Sequence, residues 1–206
     1  FTSACMYFFN LLAECGIDIK ERGKVIPNGI DVSLPQLVDS ISLKGDFKIG
    51  FWGGDRYLKG GDILIQALPY IVEKIPGVMV YVLRETSSKG FIARFARENH
   101  LEQYVSFVGE VDYKMYCTYI KSVDLVVLPS RTEGIAMSLL EDMIMGRAIV
   151  ATDVGGTAEL LQQGRNALLV QPHPDDLALA IIRLFEDKTL RDEIGMNNYH
   201  DVLRYG

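Results

Sequence analysis

A chain of 206 residues, 49% hydrophobic and 23% charged with a mean hydropathy of +0.13, can bury a core of its own and is neither disordered nor fibrous in composition. A net charge of -6 and a pI of about 5.1 exclude nucleic acid as the main partner, because phosphate-backbone binders carry a basic face. The apolar runs, such as VMVYVL at 78–83, fall well short of the ~18 residues that span a bilayer, and nothing resembles a signal peptide, so a cytoplasmic protein is expected.

In chain order, SACMYFFNLLAEC at 3–15 reads as a helix capped by Ser3 and apolar around much of its surface, hence packed on something. Together with a start at Phe1 instead of methionine, it suggests a piece of a larger protein, with residues 1–23 the end of a preceding domain and 24–206 a second one. KVIPNGID at 24–31 places a short strand before a Pro-Asn-Gly turn, and a polar stretch containing Pro35 then serves as a candidate hinge. Cys5, Cys15 and Cys117 form no C-x-x-C pair and read as reduced thiols, and His100, His173 and His200 are scattered, so no metal site is implied.

From residue 47 the pattern becomes regular. FKIGFW (47–52), VMVYVL (78–83), YVSFVG (104–109), DLVVLP (124–129), AIVATD (148–153) and NALLVQ (166–171) are continuous apolar runs of strand length. Helix-period segments separate them: DILIQALPYIVEKI, KGFIARFARENH, YKMYCTYIKSV, MSLLEDMIM and TAELLQQ, then DDLALAIIRLFED and a polar tail helix from about Lys188. Pro69 is expected to kink the first of these helices or to begin a second segment. Strand-helix alternation with unbroken apolar strands predicts an α/β fold, a Rossmann-like doubly wound parallel sheet of about six strands with helices on both faces. Right-handed crossovers favour the order 3-2-1-4-5-6, which puts a ligand crevice at the carboxyl ends of the first and fourth strands.

The loops there read GGDRYLKGG at 53–61 and SRTEGIAMS at 130–138. In the first, Gly53, Gly54, Gly60 and Gly61 let backbone approach an anion that Arg56 and Lys59 neutralise, which suits a diphosphate. Lys59 precedes Gly60, and no Ser or Thr follows, so the loop is neither a Walker motif nor a G-x-G-x-x-G fingerprint. A glycine-rich turn with solvated charges is the plain alternative. In the second, a helix starting near Ala136 or Met137 points the free N–H groups of residues 135 to 138 toward the strand ends. Glu133 then stands at the mouth, able to accept hydrogen bonds from sugar hydroxyls, and Glu141 lies ~6 Å further along the axis. Acids are also favoured at helix starts by the dipole alone.

KVIPNGID at 24–31, Lys59-Gly60 before DILIQAL, FVGEV at 107–111, LPSRTEGIAMSLLEDMIMGRAIVATDVGGTAELL at 128–161 and RNALLV at 165–170 together resemble the C-terminal, donor-binding half of a GT-B glycosyltransferase of family 4. The resemblance covers nearly the whole chain and includes the family's Glu, seven residues, Glu pattern at Glu133 and Glu141. It implies a retaining, hexosyl-transferring enzyme that takes a nucleotide-diphosphate sugar and needs no metal or other cofactor. By the same resemblance Glu133 would bind donor-sugar hydroxyls, Gly134, Ile135, Ala136 and Met137 would line sugar and phosphate, and Glu141 would hold the ribose. Lys59 would stabilise the leaving diphosphate, Gly53 and Gly54 would lie beside it, and Gly109 to Val111 would lie near the base. The family's basic partner of that lysine stands five positions earlier, where this chain has Gly54, and Arg56 would be the candidate to substitute for it from a shifted loop. LRETSS at 83–88 replaces a glycine-rich turn, and Ala136 replaces a glycine.

The acceptor, a sugar, lipid or other small molecule, would be bound by an N-terminal domain outside this chain, which by itself would transfer little and could lie at a membrane surface as part of the whole protein. Three rivals accompany this reading: a degenerate sugar-nucleotide or interaction module, a GT-B phosphorylase, and an epimerase, the last lacking its dinucleotide fingerprint.

Overall fold

The structure, a computed structural model, describes residues 2–17, 22–84 and 90–206. Phe1 and most of the LRETSS segment lie outside the described residues. Strand β1 (Thr2–Ser3) pairs in parallel with β2 (Lys24–Val25), beside the expected boundary at residue 23, with helix α1 (Tyr7–Glu14) between them in sequence. A short helix α2 (Leu34–Leu37) precedes the main sheet.

Six parallel strands follow, β3 (Phe47–Phe51), β4 (Val78–Leu83), β5 (Val105–Gly109), β6 (Leu125–Leu128), β7 (Ala148–Thr152) and β8 (Leu168–Val170). Their spatial order, β5-β4-β3-β6-β7-β8, is the expected 3-2-1-4-5-6. Helices α3 (Gly61–Lys74), α4 (Phe91–Glu98) and α7 (Pro174–Glu186) cover one face, and α5 (Tyr113–Ser122) and α6 (Met137–Ile144) the other. Strand periodicity divides the core accordingly. Leu125 and Val127 of β6 and Ala148 and Val150 of β7 join the first layer, whereas Val126, Ile149 and Ala151 join the second. The last long helix, α8 (Lys188–Val202), spans the sheet edge, with Ile194 in one layer and Val202 in the other. No helix among the described residues is long and apolar enough to cross a membrane.

Three expectations need correction. Ser3 does not cap the first helix: it lies in β1, where its Oγ accepts from the Cys5 N–H at 3.2 Å, and α1 begins four residues later. Pro69 does not begin a second helical segment, because α3 runs 14 residues through it. The missing donor is outweighed by burial, since Leu68 and Ile71 beside it are fully buried against the sheet. TAELLQQ forms only a 3-10 turn over Gly155–Glu159, because the Gln162 N–H donates to Asn166 Oδ1 at 2.7 Å instead of continuing a helix.

Candidate functional site

The reversal of strand order between β3 and β6 opens a crevice outside their carboxyl ends. Two loops close over it, and side chains tie them to each other. The Arg131 backbone N–H donates to the Leu58 carbonyl at 2.9 Å. Its guanidinium donates to both oxygens of Asp62, at 2.7 and 2.6 Å, and lies 3.8 Å from the Tyr57 ring centroid. The Asp62 carboxylate accordingly holds the Arg131 guanidinium above its usual range.

The brace sets Lys59, last residue of a 3-10 turn over Tyr57–Lys59, against Glu133 of the second loop. Lys59 Nζ reaches Glu133 Oε2 at 2.5 Å, and Ser130 Oγ donates to the same oxygen at 3.2 Å. The Glu133 carbonyl accepts from the Gly156 N–H at 2.9 Å, which fixes the backbone from which the carboxylate projects. Ala136 caps α6 with extended backbone and makes no side-chain bond, leaving the helix's first N–H groups open beside Ser138. Lys59 and Glu133 line a small cavity together with Gly53, Arg56, Arg84 and Ser138. A wider recess of about 320 Å³ adjoins, walled by Gly109, Val111, Tyr113 and Tyr116, with Arg84 again on its rim.

Below lies a buried polar layer. Trp52 Nε1 donates to Asp142 Oδ1 at 2.8 Å, and the Trp52 and Tyr116 rings meet edge-on at 5.8 Å. Asp142 is fully buried, and burial pushes its carboxyl well above the usual carboxylate range, partly opposed by the Trp52 bond. Burial likewise raises the Tyr116 and Tyr113 phenols, assisted for Tyr116 by Asp142 and then Glu141 and for Tyr113 by Glu141.

Of the residues expected at the site, the structure brings Gly53, Arg56, Lys59 and Glu133 to one cavity and Gly109 and Val111 to the neighbouring recess. Arg56 is exposed, and its Nε donates to the Gly53 carbonyl at 3.3 Å. Gly54 is buried beneath the loop, against the Arg84 carbonyl. Gly134, Ile135, Ala136 and Met137 lead into α6 without lining either cavity. The Ile135 carbonyl accepts from Asn28 Nδ2 at 3.3 Å. Glu141 is buried beside Tyr113 and Tyr116 and reaches neither cavity directly. Sequence reasoning missed Arg84, Ser138, Tyr113 and Tyr116. For Arg84 a signal existed, a lone cation directly after a strand that neighbours the reversal. Among the described residues no group of three or more metal-ligating side chains comes together.

Residues 46–187, most of the chain, match the family of glycosyl transferases group 1. The chain belongs to that family. This group 1 member is 29% identical over 193 residues to an uncharacterized glycosyltransferase of Methanocaldococcus jannaschii, covering 93% of this chain and 51% of the relative. It is 28% identical over 202 residues to the D-inositol 3-phosphate glycosyltransferase of Paenarthrobacter aurescens, covering 90% and 48%. The chain thus spans about half the length of the curated relatives it matches. Among solved structures it resembles Anabaena HepE in complex with UDP, with a TM-score of 0.84 at 23% identity over 99% of this chain and 58% of that one. The C-terminal domain of a group 1 family protein from Francisella tularensis superposes with a TM-score of 0.73 at 24% identity, over 85% of this chain and 97% of that one. These likenesses show the fold.

Proposed function

We propose that this chain is the donor-binding half of a retaining glycosyltransferase that moves a hexose from a nucleotide-diphosphate sugar to an acceptor held by another part of the whole protein. The observation that carries the reading is the Lys59–Glu133 pair at 2.5 Å, a cation for phosphate and an acceptor for hydroxyls set side by side where the strand order reverses. The base and ribose occupy the Tyr113–Tyr116 recess, the diphosphate crosses toward Lys59 and the open N-terminus of α6, and the sugar meets Glu133. When the bond to the diphosphate breaks, charge develops on the leaving oxygen, and Lys59 with the helix N–H groups stabilises it without reorganising. Glu133 releases Lys59 as it turns to the sugar. The acceptor attacks from the face the leaving group departs, and in this reading the leaving charge is met by groups of the protein, with no metal taking part. UDP in the complexes of Anabaena HepE and of Staphylococcus aureus TarM makes it the first nucleotide to try.

Calorimetric titration with UDP, GDP, ADP and their glucose conjugates tests the reading. Lys59→Ala is expected to weaken nucleoside diphosphate by roughly tenfold or more, the scale of a lost charge-assisted bond. Glu133→Ala frees Lys59, so bare diphosphate binds as well as or better than in wild type, while the preference for the sugar conjugate disappears. Wild-type affinity in both variants would sink the assignment. Sugar transfer by the full-length protein separates an enzyme from a module that binds donor without turnover.

A further inference from the structure

A diphosphate brings more negative charge than the two loops offset. Lys59 already faces the Glu133 carboxylate, so much of its charge is balanced within the site. The Arg56 side chain turns back onto its own loop, to the Gly53 carbonyl. Gly54 holds its backbone at φ +59, and a Cβ there would stand 2.7 Å from the Arg84 carbonyl oxygen, so no cationic side chain is accommodated at that position.

Arg84 stands opposite. It follows the last residue of β4, the neighbour of β3, and it is the one described residue that lines both the Lys59–Glu133 cavity and the Tyr113–Tyr116 recess. Its N–H donates to the Gly109 carbonyl at 2.8 Å, which anchors it to the end of β5. Its φ of +62 is unusual for a residue with a side chain, and a glycine would adopt it more readily. Its guanidinium lies 5.7 Å from the Tyr116 ring centroid, which turns the side chain over the recess. Among the described residues no carboxylate pairs with it, so its charge is open to a ligand.

We propose that Arg84 is a donor-binding residue that clamps the diphosphate from the β4 side, supplying the second cation opposite Lys59. The planar fork of a guanidinium matches two phosphate oxygens at once, and a position on the rim of both cavities is where the link between nucleoside and sugar must pass. The inference rests on the donor-site reading given above.

The test uses the 206-residue chain, with UDP, GDP and ADP titrated calorimetrically and the nucleoside of the tightest base followed by ligand-observed NMR. Arg84→Gln is expected to weaken the nucleoside diphosphate by roughly tenfold and to leave the nucleoside within about twofold, with Arg84→Lys recovering part of the loss. Circular dichroism and the unfolding midpoint of both variants should match wild type, because the side chain is exposed. Equal losses for nucleoside and diphosphate would show Arg84 stacked on the base, overturning the clamp. Diphosphate affinity kept in Arg84→Gln but lost in Lys59→Ala overturns Arg84 alone and leaves the donor site standing. A wild-type chain that binds none of the three diphosphates overturns both.

Discussion

Asp142 carries an unusual load for a single residue. It is fully buried, one carboxyl oxygen accepts from Trp52 Nε1 at 2.8 Å, and the other has no hydrogen-bond partner among the described residues. With its pKa raised in the fold by burial, Asp142 stays protonated where the same group in an unfolded chain ionises above about pH 4. The unfolded state therefore binds fewer protons than the native state over that window. Stability from this group is complete below the unfolded value and declines as pH rises toward the folded one, by up to about 1.4 kcal/mol per pH unit. Asp142→Asn keeps an acceptor for Trp52 and removes the ionisation. Its melting temperature should exceed that of wild type, with the gap widening from pH 5 to pH 8 in thermal unfolding; a gap independent of pH would mean that Asp142 is ionised in the fold. Nothing in the sequence announced this pair, because its members stand 90 positions apart and each sits in or beside an apolar run. Lys59 and Glu133 were legible for the opposite reason, as charges among glycines at strand ends. Glu141 shows the limit of counting along a helix: rise gives depth, but the direction of the side chain follows from packing, and here it turns toward Tyr113 and Tyr116.

Among the elements, α1 borrows its order from a distant segment. None of its residues is buried, Phe8 and Leu11 are exposed, and its own N-cap, Met6, offers no side-chain bond. Glu159 supplies the cap from across the molecule: its two carboxylate oxygens accept from the N–H groups of Met6 and Tyr7 at 2.9 and 2.8 Å. A carboxylate there also faces the positive end of the helix dipole. Such a cap contributes about 1 kcal/mol, which for an element without buried side chains decides whether it frays. Glu159→Ala should abolish hydrogen-exchange protection across α1 while the core strands exchange as in wild type. The Glu133 loop should exchange faster too, since a Cβ on Gly134 would lie 2.9 Å from the Phe8 ring, a contact that fraying removes. Unchanged protection in α1 would show that the cap is dispensable. Local sequence pointed to Ser3 because a hydroxyl before an apolar run is the usual cap, and a cap from 153 residues away has no local signature.

At the scale of the whole molecule, the sheet was legible and its closure was not. Six apolar runs separated by helix-length segments leave few parallel topologies, so strand order followed from handedness alone. Helix α8 reads as polar throughout, yet Ile194, Asn198 and Val202, each four residues after the last, are completely buried as one narrow stripe. Asn198 Nδ2 donates to the Arg147 carbonyl at 2.8 Å, and a Cβ on Gly195 would come within 2.4 Å of the Gly146 carbonyl oxygen, so the helix lies directly on the turn between α6 and β7. That turn fixes the far end of the helix whose start faces Glu133. Burying Ile194 and Val202 contributes roughly 1.5–3 kcal/mol each, and the Asn198 bond about 1 more. Their sum, about 4–7 kcal/mol, is comparable with the 5–15 kcal/mol that holds a typical domain folded. A chain ending at Asp187 retains every strand and the whole of the family match, yet it should lose its cooperative urea transition and bind a dye for exposed apolar surface. A sharp transition within 1 kcal/mol of wild type would show that α8 decorates a fold complete without it; loss of the transition would make this helix the closing element that holds α6, and with it the crevice beside β3 and β6, in place.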